Sequence, residues 1–175
     1  MANALGIKVD LITYGDKINL KNNLDTNVKV DTLNSSQQIP EIERIINMGR
    51  MEKLHQMYHF QDSYKNKEIL TKLKKKVNHF LKQKKSILII DFGFNFFPSN
   101  FYNYINKIKY SVNTHTNSIN QNFNHISKYK NSNYFSINKR EYNLDRRLNF
   151  GDDIVKLKKH LLEKEKHKNF SITLG

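Results

Sequence analysis

The run Ile87-Leu88-Ile89-Ile90-Asp91-Phe92-Gly93-Phe94-Asn95-Phe96-Phe97 is the longest apolar stretch of the chain, and whether it is strand or helix decides the architecture around it. Its β-branched and aromatic content reads as a buried strand, whereas its place after a strong helical pattern permits a continued buried helix. At about half a membrane span, and broken by Asp91 and Asn95, it is too short and too polar to be transmembrane. Pro98-Ser99 then ends it and can open a new helix.

Upstream, Asn66 to Lys85 carries Ile69, Leu70, Leu73, Val77, Phe80 and Leu81 on one helical face, and Lys72, Lys74, Lys75, Lys76, Lys82, Lys84 and Lys85 crowd the remainder. So many lysines on about five turns repel one another unless an anion screens them. Downstream, Asn100 to Lys109 places Phe101, Ile105 and Ile108 on one face, with Lys107 and Lys109 displayed elsewhere. Asn113 to Asn133 is polar and Asn-rich, anchored only by Ile119, Phe123, Ile126 and Tyr129, and reads as an insertion with room for a short helix.

From Ile137 to Leu157 a short apolar-polar alternation, the basic residues Lys139, Arg140, Arg146 and Arg147, a Gly151-Asp152 turn and a second alternating run read as a small basic β-unit. Lys158 to Lys168 reads as a charged helical tail. In the other direction, Glu41 to Tyr58 repeats Ile42, Ile45, Ile46, Met48, Met51, Leu54, Met57 and Tyr58 near a spacing of three or four, which predicts an amphipathic helix divided at Gly49. Pro40, Glu41 and Glu43 supply its start. Ser35 to Pro40 is a linker by composition, and Ile7 to Val30 reads as short strands or extended arms around Gly15-Asp16.

The chain has 175 residues, with 30 Lys and Arg against 16 Asp and Glu, a formal charge of +14. That balance is the footprint of a polyanion partner. Residues 1 to 40 hold Lys8, Lys17, Lys21 and Lys29 against Asp10, Asp16, Asp25 and Asp31, so the whole excess lies after Pro40. Mean hydropathy is −0.72, so apolar surface for a core is scarce. Absence of cysteine excludes disulfides and thiolate metal sites. The first residues show neither a signal peptide nor a transit peptide. Abundant Asn, Lys, Ile, Phe and Tyr without Trp or Cys is the profile of an AT-rich coding sequence.

Little here supports catalysis. His55 and His59 have the four-residue spacing of a metal edge, yet no third ligand or neighbouring glutamate completes it. Asp91-Phe92-Gly93 occurs as a metal-binding element in protein kinases, but no Gly-rich loop, strand lysine or His-Arg-Asp loop accompanies it. Asp152-Asp153 is read as turn chemistry rather than an acid-base pair. The expectation is no enzyme, no catalytic residues, no metal, no cofactor and no small-molecule substrate.

What remains is a basic surface with interleaved aromatics: Lys128, Tyr129, Lys130, Tyr134, Phe135, Lys139, Arg140, Tyr142, Arg146 and Arg147. Cations neutralise phosphates and aromatics stack on unpaired bases. The competing reading places the aromatics in the core and leaves the charges to solvent.

In order along the chain, Glu52 to Tyr58, Asn95-Phe96-Phe97-Pro98-Ser99-Asn100-Phe101, Ile137-Asn138-Lys139-Arg140, Tyr142-Asn143-Leu144 and Asp153-Ile154-Val155-Lys156-Leu157 resemble blocks of the bacterial-type small ribosomal subunit protein four family. Departures are Ser86-Ile87-Leu88 where the family has Arg-Leu-Asp, Tyr104 at an arginine position, Gly151 one place early, and a longer connection over 113 to 133. The resemblance implies an α+β fold: an N-terminal extension over 1–40, a basic helical segment over 41–85, an RNA-binding domain of two helices and a short twisted β-unit over 86–157 with an insertion at about 114–133, and a charged tail over 158–175. It makes Ile87 to Phe97 a helix.

It implies a structural constituent of a small ribosomal subunit, mitochondrial or from the cytoplasm of an AT-rich organism, with ribosomal RNA and neighbouring ribosomal proteins as partners and no membrane span. Lys107, Lys109, Lys128, Lys130, Lys139, Arg140, Arg146 and Arg147 are then the expected phosphate contacts, and Lys72, Lys75 and Lys76 meet a neighbouring RNA helix. The competing expectation is a basic adaptor for protein or an anionic membrane surface.

Overall fold

The computed structural model describes residues 5–14, 17–22, 24–33, 41–59, 67–94, 96–116, 124–148, 153–164 and 169–174. The chain divides into two compact units, Met1–Ser63 and Tyr64–Gly175, each described by itself. Helices and strands are mixed, as an α+β chain requires at that level.

In the first unit β1 (Val9–Thr13) and β2 (Val28–Thr32) pair in parallel, with α1 (Lys17–Asn22) between them. The strand expected over Ile7 to Tyr14 is present as β1, but Lys17-Ile18-Asn19-Leu20, read as extended, is helical. A crossover joins parallel strands where a turn was expected; Gly15 and Asp16 lie outside the described residues, as does the Ser35 to Pro40 linker. Tyr14, Val30 and Leu33 are the buried apolar residues.

The expected helix over Glu41 to Tyr58 is instead an antiparallel hairpin of β3 (Glu41–Asn47) and β4 (Glu52–His59). The bulge opposite Ile45 and Ile46 lies on β4, where Leu54 is the extra residue. β3 itself alternates regularly and carries apolar residues on both faces, Ile42 and Ile46 on one and Ile45 on the other, so their spacing mimics a helix. Their β-branching favours a strand. The Asn47 side chain accepts a hydrogen bond from the Gly49 amide at 3.0 Å, and Met51 takes the left-handed conformation that closes the turn.

The second unit starts with α2 (Lys67–Lys82), the helix expected over Asn66 to Lys85, with Ile69, Leu73 and Val77 buried. Lys84, at φ 56°, ends it in the left-handed region. This stop is why Ile87 to Phe97 does not continue as helix. The strand reading holds and the helix implied by the family resemblance does not: β5 (Leu88–Asp91) begins four residues later. Gly93 at φ 73° turns the chain, its amide held by Asp91 Oδ1 at 2.8 Å.

Next come α3 (Ser99–Ile105), as expected after Pro98, and β6 (Tyr110–Thr114), a 3-10 turn at Ile126–Lys128, and β7 (Ser132–Asn138). The supposed insertion is thus structural at both ends, with Ile126 and Tyr129 buried, while Ile119 and Phe123 lie outside the described residues.

The expected β-unit over Ile137 to Leu157 is a strand end followed by two helices, α4 (Lys139–Arg146) and α5 (Ile154–Lys164). Asn138 and Glu141 form a reciprocal capping box that starts a helix where a turn between strands was read. Arg147 ends α4 in the left-handed conformation. Asp153 accepts the Lys156 amide at 2.9 Å, opening α5 rather than a strand; Gly151 and Asp152 lie outside the described residues. The charged tail is helical to Lys164, residues 165–168 lie outside the described residues, and β8 (Asn169–Thr173), which had no counterpart in the expectations, follows.

β5, β6, β7 and β8 form one parallel sheet in chain order. On one face Ile89, Tyr110, Val112, Phe135 and Ile137 are buried, joined by Phe101 and Ile105 of α3, Tyr142 of α4 and Leu157 and Leu161 of α5. Phe135 and Phe170 stack at 5.6 Å between β7 and β8. Tyr104 of α3 donates to Asn78 of α2 at 2.7 Å. On the opposite face Leu88 and Ile90 are exposed. No helix among the described residues is long and apolar enough to cross a membrane.

Candidate ligand site at the carboxyl ends of the parallel strands

The parallel pairing of β5, β6 and β7 brings Asp91, Thr114 and Asn138 to the same edge of the sheet. Asp91 ends β5 and is buried. Its carboxylate accepts from the Tyr129 hydroxyl at 2.7 Å and from the Gly93 amide at 2.8 Å, and Lys128 Nζ lies 2.7 Å away. Lys128 also donates to Asn124 Oδ1 and rests over the rings of Tyr102 and Tyr129 at 4.9 and 5.4 Å. A buried carboxylate needs hydrogen-bond donors and a cation around it, and this one has both. Burial pushes the Tyr129 hydroxyl well above the usual tyrosine range, with the Asp91 charge adding to it, so Tyr129 stays a donor. Tyr102 is raised by the same causes.

Asn124 ties two strand ends together. Its Nδ2 donates to the carbonyls of Asp91 and His115, both at 2.9 Å, and the His115 amide donates to the Asp91 carbonyl at 2.8 Å. Beyond β6, Glu141 Oε1 accepts the Thr116 amide at 2.7 Å and lies 3.4 Å from His115 Nδ1. The other oxygen of Glu141 accepts the Asn138 amide at 3.1 Å. One buried carboxylate thereby fixes the start of α4 and the end of β6 together. One turn on, Asp145 accepts from the Ser127 amide and hydroxyl at 3.1 and 2.9 Å and faces His125 at 3.3 Å.

Two further groups lie at this edge. His115 is half-exposed, with Phe92 edge-on to it at 5.9 Å. Thr114 Oγ1 is buried and has no hydrogen-bond partner among the described residues. Buried hydroxyls are rarely left unpaired, and this one is closed to solvent.

Of the residues expected to touch RNA, Lys128, Lys139 and Arg140 lie at this edge, and the others are spread over the unit. Lys72 sits on α2 paired with Glu68 at 2.6 Å, Lys75 is exposed and Lys76 half-buried on the same helix. Lys107 and Lys109 are exposed between α3 and β6, Lys130 is exposed after the 3-10 turn, and Lys139 and Arg140 start α4. Lys128 is committed to Asp91, and Arg146 lies over the Tyr142 ring at 5.7 Å, so both serve the interior. Of the interleaved aromatics, Tyr129, Phe135 and Tyr142 are buried and therefore core, whereas Tyr134 is exposed. His55 and His59 project from β4, where His59 lies 3.6 Å from Glu43.

Sequence reading missed Asn124, His115, Glu141 and Thr114 and set Asp91 aside. One signal was available: Asn138-x-x-Glu141 has the spacing of a capping box. The convergence of Asp91, Asn124 and His115 had none, because it depends on strand pairing. Family models, curated proteins and solved structures were compared with the chain, and none matches it.

Proposed function

We propose that Tyr64–Gly175 is a ligand-binding α/β domain that takes a small phosphorylated metabolite at the carboxyl ends of β5, β6 and β7. The observation that carries this reading is the unpartnered Thr114 hydroxyl beside half-exposed His115, at the edge where parallel sheets hold their ligands. His115 offers a hydrogen-bond donor to a phosphate oxygen, Phe92 an exposed ring, and the net charge of +14 draws anions in. Asp91, Lys128, Asn124 and Glu141 hold the loops in place, each already bonded to its neighbours. The expectation was of no small-molecule substrate; the role proposed is binding, with no turnover.

Calorimetric titration with ribose 5-phosphate and adenosine diphosphate, with inorganic phosphate as control, tests it. Saturable binding of one organic phosphate, weakened about tenfold or more by His115→Ala, is expected; loss of one charge-assisted hydrogen bond is worth about 1.5–3 kcal/mol. Equal binding by wild type and His115→Ala overturns it.

A second reading, that the chain is a structural constituent of a small ribosomal subunit, mitochondrial or cytoplasmic, is supported by the exposed cations Lys75, Lys107, Lys109, Lys130, Arg140 and Arg147. The two helices and twisted β-unit that the family implies over 86–157 are not what this stretch holds, since β5, α3, β6, β7, α4 and the start of α5 are described there. Mass spectrometry of purified small subunits tests it: the chain in stoichiometric amount supports it, and its absence removes it. A basic adaptor for protein or membrane is the remaining proposal, separated by whether the chain sediments with lipid after nuclease treatment.

A further inference from the structure

The strongest feature outside the carboxyl edge is the outer face of α2. Between residues 67 and 85 there are eight lysines and one acid, Glu68. Several of these lysines have local roles: Lys72 pairs with Glu68, Lys74 lies over the Tyr104 ring at 5.5 Å, and Lys85 over the Phe80 ring at 5.1 Å. The hydrogen bond and charge of Lys72 hold the Glu68 carboxyl below its ordinary range. Lys67, Lys75 and Lys82 are exposed and have no carboxylate partner among the described residues. At about 100° per residue they fall within one sector of about 80°, a stripe about 22 Å long. Ile69, Leu73 and Val77 occupy the opposite side and are buried.

Helix stability does not account for the stripe. Cations near a helix C-terminus are favoured by its dipole, which covers Lys82 and the following Lys84. Lys67 stands at the N-terminus, where the dipole opposes a cation, and Lys75 lies mid-helix. A rigid, straight row of point charges matches a linear polyanion. The stripe is interspersed with Thr71, Asn78 and His79 and carries no large apolar residue. A helix that lies on a lipid surface presents its apolar face to it, and that face of α2 is spent in the core. Lysine, lacking the planar fork of arginine, gives attraction without base or geometry selection.

We propose that the Lys67–Lys75–Lys82 stripe of α2 is a docking surface for the phosphate backbone of RNA, bound without sequence preference. It stands apart from the carboxyl-edge site, and either can fail without the other. Backbone contacts of this kind release counterions, so log affinity falls with log salt by about 0.7 per neutralised phosphate on single strands, and by nearer 0.9 on a duplex.

The test is fluorescence anisotropy of the full chain with an oligouridylate and an RNA duplex, each of about 20 nucleotides per strand, over roughly 50 to 200 mM salt. Phosphatidylserine vesicles form a third arm. For Lys67→Gln/Lys75→Gln/Lys82→Gln the salt slope should drop by about 2 to 3, while Lys→Arg at the same positions should keep it. Should the triple variant lose its circular dichroism signal, Lys75→Gln alone should lower the slope by about 0.7 to 0.9. Unchanged slopes in the Gln variants overturn the proposal. So does a loss confined to the vesicle arm.

Discussion

Asp91 shows how one side chain can organise a whole edge. It is buried, yet Lys128, Tyr129 and the Gly93 amide all converge on it. Asp91→Asn keeps the shape and removes the charge, leaving Lys128 without its counterion. A loss of about 2–3 kcal/mol in chemical denaturation is expected; a change below about 0.5 kcal/mol would contradict the assigned role. Thr114→Val should behave in the opposite way. Removing an unpartnered buried hydroxyl leaves stability equal or slightly higher, while binding of the organic phosphate weakens; a loss of both would make Thr114 structural.

Alkaline pH reads the buried tyrosines. Burial pushes Tyr110 up to about 12 from its ordinary 10.0, so between those values the unfolded chain gives up a proton that the folded chain keeps. Stability from this group is complete below pH 10 and is lost as the pH rises towards 12. Tyr110→Phe should flatten the fall of stability across that window, as seen in denaturation midpoints. An identical slope in the variant would remove Tyr110 from the account.

Elements were legible where packing and local pattern agree. α2 was readable because Ile69, Leu73 and Val77 recur at four-residue intervals and all are buried. α3 was readable from Pro98 with Phe101 and Ile105. The hairpin of β3 and β4 was not, since β3 carries isoleucines on both faces, Ile42 and Ile46 on one and Ile45 on the other, and that spacing reads as helical. The α4 start was hidden because Ile137-Asn138 continues an alternating strand, and only the Asn138–Glu141 spacing announces the helix. Asn138→Ala should cost about 1 kcal/mol through loss of that cap, measurable by urea unfolding. An unaffected midpoint would mean that packing alone holds α4. β8 had no legible cue, for Asn169 to Thr173 is short and its partner β7 lies more than thirty residues earlier in the chain.

On the scale of the molecule, composition gave a sound electrostatic statement and a poor map. The charge of +14 is present, but the basic residues expected to form one RNA face are divided among α2, the loop before β6, α4 and the interior. Parallel pairing is a property of chain segments far apart in sequence, and neither period nor charge encodes it. That pairing nevertheless creates the carboxyl edge, where Asp91, Asn124, His115 and Glu141 meet. Amide chemical shifts of the full chain titrated with ribose 5-phosphate and with adenosine diphosphate probe that edge most directly. Saturable shifts at Gly93, His115, Thr116 and Lys139 with one of the two are the predicted result; shifts confined to α2, or none at these four amides, would contradict the site.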